Sequence, residues 1–329
     1  MEMDEKTIST KSMDKDFKIV FMGTPEFAVC ILDEMLNNNY NVVGVVTAPD
    51  KPAGRGQKIN QSDVKKFAVE KDLNVLQPAN LKSEDFIQEL KALEADLFVV
   101  VAFRMLPEMV WAMPPRGTIN LHGSILPNYR GAAPINWAVM NGEKQTGVTT
   151  FFIEKEIDTG KIIERSYVKI GEDETVGEVH DRLMHLGAKV TSETIAKIQA
   201  GDVQGIPQIE LTEGELKNAP KIFKPMCEIN WNNPVAEVHD FCRGLSPYPT
   251  AWTKLKKTEK GETKSFKIFR TTKTDQKVSG DNKLIATKEG ILIPCGDFYL
   301  NVTELQPEGK RRMNFKDVVA GYTMSDWEV

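Results

Sequence analysis

Short apolar runs alternate with amphipathic stretches through the first third of the chain. "FKIVFMG", Phe17 to Gly23, is a continuous apolar run closed by glycine, which predicts a buried strand. Thr24 then stands where a helix cap is needed, with Pro25 at the first helical position, where its missing N–H costs nothing. "EFAVCILDEMLNNN" supplies that helix, and "YNVVGVVTA" and "DLFVVVAF" repeat the strand pattern. Strands separated by helical segments predict an α/β fold with a parallel, doubly wound, Rossmann-like sheet, whose ligands gather beyond the carboxyl ends of the strands. "FMGTPEF" lacks the G-x-G-x-x-G fingerprint, which argues against a dinucleotide.

The pattern changes twice further on. Thr175 and Glu178 form a capping box ahead of Val179, Leu183, Met184, Leu186, Val190, Ile195 and Ile198, and Gly201 closes that helical stretch. Pro234 to Arg243 reads as a short helix stopped by Gly244, whereas the segment before it, "IPQIELTEGELKNAPKIFKP", has no periodicity and reads as a linker. Beyond Leu245, runs such as "KSFKIFRTT", "GILIPC" and "DFYLNVTELQP" are separated by Gly- and Asn-containing turns, the pattern of a small β-barrel.

A length of 329 residues with 41% hydrophobic and 27% charged positions suits a two-domain globular protein. No apolar run approaches the roughly 20 residues of a membrane helix, and "MEMDEKTISTKSMDKD" has no signal-peptide core, so it reads as a disordered extension of a cytoplasmic protein. Cys30, Cys227, Cys242 and Cys295 are scattered and read as small apolar residues, and no Cys/His group has metal-ligand spacing. The net charge of −5 is uneven: Glu215 to Val329 holds 19 Lys+Arg against 15 Asp+Glu, a surplus of +4. Between Lys254 and Lys288 the counts are 11 and 4, a bias that fits a solvated face or a polyanionic partner.

The chemistry concentrates in "GTINLHGSILPNYRGAAPINWAVMNGEKQTG" and the "EIDTG" that follows. "GTINLHG" alternates as a strand, so Asn120 and His122 point the same way at its carboxyl end. An imidazole can take a proton near pH 7, and an amide can donate to a developing oxyanion. Asp158 can orient the imidazole or hold a relaying water. Singly, each residue has an ordinary structural use, as a hydrogen-bonding histidine, a loop cap or a turn. Ser124 is the one candidate nucleophile, so direct attack of an amine on a bound carbonyl suits the set better than a covalent intermediate.

The phrase from Asn120 to Gly160 closely resembles the formyltransferases that use 10-formyltetrahydrofolate, and the resemblance runs from about Phe17 to the C-terminus. It implies a catalytic trio of Asn120, His122 and Asp158 with no metal. It also implies a folate site lined by Phe103, Arg104, Met105 and Leu106 together with Ser124, Leu126 and Pro127, with Leu126–Pro127 cis. Phe103-Arg104 departs from the aromatic-Gly start common in the family. "APDKPAGRGQKINQSDVK" is similar to the loop inserted by the members that formylate methionyl initiator tRNA, which gives Lys51, Arg55 and Lys58 a phosphate-binding role and Gly54 and Gly56 a close backbone approach.

The same comparison divides the chain into an extension 1–16, a catalytic domain 17–207, a linker 208–225 and an OB-like tRNA-binding barrel 226–329. "RGLSPYPTAW" leads into that barrel, whose candidate tRNA contacts are Arg243, Lys254 and Lys256, with Arg311 and Arg312 beside them. The expected enzyme is a monomer. Two other readings stay open: an amino-sugar-nucleotide formyltransferase would share the trio without needing the loop, and a non-catalytic RNA-binding scaffold would need only the basic surface.

Overall fold

Strands form where the apolar runs lie. The structure, a computed structural model, describes residues 16–53, 58–201, 203–258, 261–280 and 283–329. The chain makes two compact units, one comprising residues up to Leu121 with 150–155 and 187–206, the other His122–Thr149, Glu156–Leu186 and Pro207–Val329.

In the first unit the elements run β1 (Lys18–Gly23), α1 (Glu26–Asn37), β2 (Asn41–Val46), a hairpin of β3 (Lys51–Ala53) and β4 (Lys58–Asn60), α2 (Asp63–Glu70), β5 (Val75–Leu76), α3 (Glu84–Ala92), β6 (Leu97–Val101), α4 (Glu108–Trp111) and β7 (Thr118–His122). The parallel order β5-β2-β1-β6-β7 reverses direction of growth between β1 and β6, the doubly wound arrangement. Val20, Met22, Phe98 and Val100 face a core shared with Phe86, Ile87 and Leu90 of α3. Each such side chain contributes about 1.5–3 kcal/mol by leaving water.

The start of α1 differs from expectation. Its N-cap is Pro25, in an extended conformation, with no side-chain cap bond. Thr24 lies one residue too early to reach the first turn, and Glu26 supplies the negative charge that suits the helix dipole there. Gly23 is required by packing, since a Cβ would meet that of Ala28 at 2.6 Å.

The sheet order continues through β8 (Gln145–Phe152) and β9 (Ile162–Lys169). α5 (Pro134–Met140) precedes β8, and α6 (Val176–Ala200) follows β9. The capping box at its start is formed: Thr175 N–H donates to Glu178 at 2.8 Å, and Glu178 N–H to the Thr175 hydroxyl at 3.4 Å. Gly201 ends α6 at φ +79°.

In the second unit, α7 (Val235–Gly244) leads to an antiparallel sheet of β10 (Ala251–Lys257), β11 (Thr263–Lys277), β12 (Ile285–Ala286), β13 (Ile291–Pro294), β14 (Phe298–Pro307), β15 (Met313–Asn314) and, after α8 (Phe315–Gly321), β16 (Trp327–Glu328). The order is β12-β13-β14-β11-β10-β16, with β15 on β14. Leu255, Phe266, Ile268, Leu300 and Val302 close over Val238 and Cys242 of α7. Cys227, Cys242 and Cys295 are buried free thiols, as the apolar reading expects, while Cys30 is half-buried. Burial pushes the Cys295 thiol up to about 12. The segment expected as a featureless linker is well tied: Lys217 and Ala219 exchange backbone hydrogen bonds with Tyr129, Arg130 and Ala133. No helix among the described residues is long and apolar enough to cross a membrane.

Candidate active site

β7 pairs with β6 through Leu121, and His122 is its last residue. The buried imidazole places Nε2 2.8 Å from the carbonyl oxygen of Tyr129. A carbonyl can only accept, so Nε2 carries the proton and Nδ1 is the atom free to gain or lose one. Nδ1 lies 3.8 Å from Oδ2 of Asp158, beyond direct hydrogen-bond distance. Asn120, two residues earlier on the strand, is half-buried, and its amide makes no hydrogen bond among the described residues, which leaves its N–H groups for a ligand.

Asp158 sits in the turn between β8 and β9, with φ +55°, and its Oδ2 accepts the Gly131 N–H at 3.0 Å. Tyr129 is also left-handed, at φ +62°. Its N–H donates to the Lys217 carbonyl at 2.6 Å and its hydroxyl to Glu143 at 2.6 Å. Burial, with the Glu143 carboxylate beside it, pushes the Tyr129 phenol well up. Burial would push Glu143 up as well, but hydrogen bonds from Lys217 and Tyr129 outweigh it and hold its carboxyl below the ordinary value. Residues 129–131 therefore hold both members of the His122–Asp158 pair through backbone atoms.

The expected basic contacts divide. Lys51 is exposed at the start of its hairpin; Arg55, Gly54 and Gly56 lie outside the described residues, as does the Lys58 side chain. Asp50 anchors the hairpin's base, accepting from Lys65 at 2.6 Å and Gln77 at 2.8 Å, which holds its carboxyl below the usual range. Lys254 and Lys256 alternate with buried Thr253 and Leu255 and so share the outer face of β10, where Lys256 lies 3.9 Å from Glu328. Arg243 is a correction. It is buried and bonded to Asp240 at 2.6 Å and to the carbonyls of Gly171 and Glu174, so its guanidinium is not displayed on the surface where a phosphate would meet it. Arg312 is engaged by Glu304 at 2.7 Å and stacks over Phe269, leaving Arg311 as the more available of that pair.

The sequence matches the formyl transferase family over residues 17–195 and the formyl transferase C-terminal domain over 221–323. The chain belongs to the formyl transferase family. It is 50% identical over 315 residues to the methionyl-tRNA formyltransferase of Bacteroides fragilis, covering 95% of this chain and 97% of that one. The counterpart in Flavobacterium johnsoniae is 51% identical over 310 residues, covering 94% and 97%. HypX from Aquifex aeolicus, solved with tetrahydrofolic acid, has the same fold at TM-score 0.62 and 16% identity, over 92% of this chain and 46% of that one. An N-formyltransferase from Helicobacter canadensis, solved with folinic acid and dTDP-3-aminofucose, matches at 0.62 and 19%, over 90% and 100%.

The positions that family resemblance assigns to folate behave unequally in this formyl transferase. Phe103 is half-buried, and Met105 is 71% exposed. Arg104 is turned to the Pro78 and Ala79 carbonyls and lies 5.6 Å from the Phe103 ring, so it braces the segment, while Leu106 is buried. Ser124, Leu126 and Pro127 are buried as well. The Ser124 hydroxyl donates to the Asn128 carbonyl at 2.7 Å, and Thr149 ties the Ser124 carbonyl to the Leu126 N–H. Leu126–Pro127 is cis, as the resemblance implies.

Sequence reasoning missed Tyr129, Gly131 and Asp50. The first two act through a carbonyl and an N–H, atoms every residue owns, so no residue type marks them. Asp50 was legible in principle: an acid at the root of a Gly- and Lys-rich loop is a natural anchor.

Proposed function

We propose that the chain transfers the formyl group of 10-formyltetrahydrofolate to the α-amino group of methionyl initiator tRNA, for translation initiation. Half-identity over nearly the whole length to methionyl-tRNA formyltransferases carries this reading. The free amine attacks the formyl carbon, forming the new C–N bond and a tetrahedral oxyanion. Asn120 donates to that oxyanion. His122 takes the amine proton at Nδ1, and the nearby Asp158 carboxylate stabilises the imidazolium that results. As the bond from carbon to the folate nitrogen breaks, the same proton passes to that nitrogen, leaving tetrahydrofolate. Phe103 and Met105 offer apolar surface to the pterin.

The tRNA side of the reading rests on charge. Lys51, Arg55 and Lys58 of the loop-like sequence segment and Lys254 and Lys256 on β10 neutralise phosphates, positioning the acceptor without reading its sequence. The C-terminal sheet serves as an OB-like barrel spanning 226–329, joined through 208–225 to a catalytic domain of 17–207, and the enzyme works as a cytoplasmic monomer. The test offers 10-formyltetrahydrofolate with methionyl initiator tRNA, methionyl elongator tRNA and an amino-sugar nucleotide. Formylation confined to the initiator tRNA supports the assignment. Transfer to the sugar alone, or tRNA binding with no transfer to any acceptor, defeats it.

A further inference from the structure

Gln208 carries an inference about how the site keeps its shape. It is the first residue of a single helical turn, Gln208–Leu211, and its side chain is 3% exposed. Its amide is saturated. Nε2 donates both hydrogens, to the Asp158 carbonyl at 2.8 Å and the Gly160 carbonyl at 2.9 Å. Oε1 accepts two more, from Arg130 Nε at 3.0 Å and the neighbouring guanidinium nitrogen at 2.6 Å.

Those four bonds tie Arg130 to the Asp158 turn. Arg130 lies between Tyr129, whose carbonyl fixes His122, and Gly131, whose N–H fixes the Asp158 carboxylate. Asp158 and its turn must be held left-handed at φ +55°, a conformation a non-glycine residue adopts at a cost. Two carbonyls two residues apart, captured by one amide group, constrain that turn directly. A buried amide placed this way is poorly replaceable: Glu would set a carboxylate against two carbonyls, and Asn is one methylene short.

We propose that Gln208 is a positioning residue for formyl transfer, clamping the Asp158 turn to Arg130 and so fixing the gap between Asp158 and Nδ1 of His122. The proposal rests on the catalytic reading of His122 and Asp158. Gln208 touches no reacting atom, so its loss acts on turnover through the geometry of that pair and leaves the acceptor and donor surfaces intact.

The test is Gln208→Met, which keeps length and volume and removes all four bonds, with His122→Ala measured in parallel. The full chain is assayed for kcat and for KM of each substrate, and the Gly131 amide proton is followed by NMR as a reporter of the Asp158 contact. The expected result is a kcat lower by about tenfold to hundredfold, the scale of a small misplacement, with both KM values within about twofold. The Gly131 amide signal moves and exchanges faster. A kcat within about twofold of wild type overturns the clamp, and so does a reduced kcat with an unmoved Gly131 signal. Wild-type turnover in His122→Ala defeats the catalytic reading itself, whatever Gln208→Met does. If Gln208→Met does not fold, Arg130→Met removes the clamp from its other end and is judged by the same outcomes.

Discussion

The Tyr129–Gly131 segment and the Lys51–Asn60 hairpin are both short stretches to which a function is proposed, and they are built differently. The first is buried at Tyr129 and fixed by partners distant in sequence: Lys217 on its backbone, Glu143 on its phenol, Gln208 on Arg130. The second is exposed at Lys51 and Asn60, and its anchorage sits at its root, where Asp50 accepts from Lys65 and Gln77. The difference follows from the tasks. Moving a proton needs atoms held to tenths of an ångström, which only a crowded network supplies. Gathering phosphates, the task proposed for the hairpin, needs charge and reach rather than fixed atoms.

Substitutions can break that contrast. His122→Ala removes the proton carrier and should lower kcat by about 10²–10⁴, measured under saturating tRNA and folate. Binding of methionyl tRNA, followed by filter retention, should be unchanged. Asp158→Asn keeps an acceptor for the Gly131 N–H and removes the charge beside Nδ1, for an expected kcat loss of about tenfold to hundredfold. Asp50→Ala should do the reverse of both: a several-fold higher KM for the tRNA at nearly constant kcat, the signature of lost uniform binding. If Asp50→Ala lowers kcat instead, the hairpin belongs to the chemistry and the contrast fails.

The smallest effect concerns stability. His239 is fully buried: Nε2 donates to the Glu172 carbonyl (3.2 Å), Nδ1 of the neutral ring accepts from the Thr271 hydroxyl (2.8 Å), and an Asp173 carboxylate oxygen lies 3.3 Å from Nε2. Burial pushes its pKa below the ordinary 6.5, outweighing those carbonyl and carboxylate contacts. The folded state thus favours the neutral ring. Its stabilising contribution is complete above about 6.5 and is lost as pH falls from there towards the folded value. Thermal melts between neutral and mildly acidic pH should show this loss, and His239→Gln should flatten it.

How much of this was legible depended on whether side chains or backbone atoms carry the feature. The strands at Lys18–Gly23 and Leu97–Val101, the capping box at Thr175 and the stop at Gly201 follow from local residue types and were readable. Asn120 and His122 were readable as a pair because a strand repeats every two residues. The brace from Tyr129 was not, because a carbonyl has no residue signature and the left-handed turn at a tyrosine contradicts propensity. Arg243 misled for the opposite reason: its residue type suits phosphate, but its burial is decided by Asp240 beside it and by Gly171 and Glu174 far away in sequence.

The central claim is that the Tyr129 carbonyl locks the proton on Nε2 of His122 and leaves Nδ1 to do the chemistry. Ring nitrogen-15 shifts of His122, recorded in the neutral imidazole form of the full chain, test it most directly. The account predicts one tautomer, protonated at Nε2 and bare at Nδ1. A proton found on Nδ1, or an equal mixture of the two forms, would contradict it.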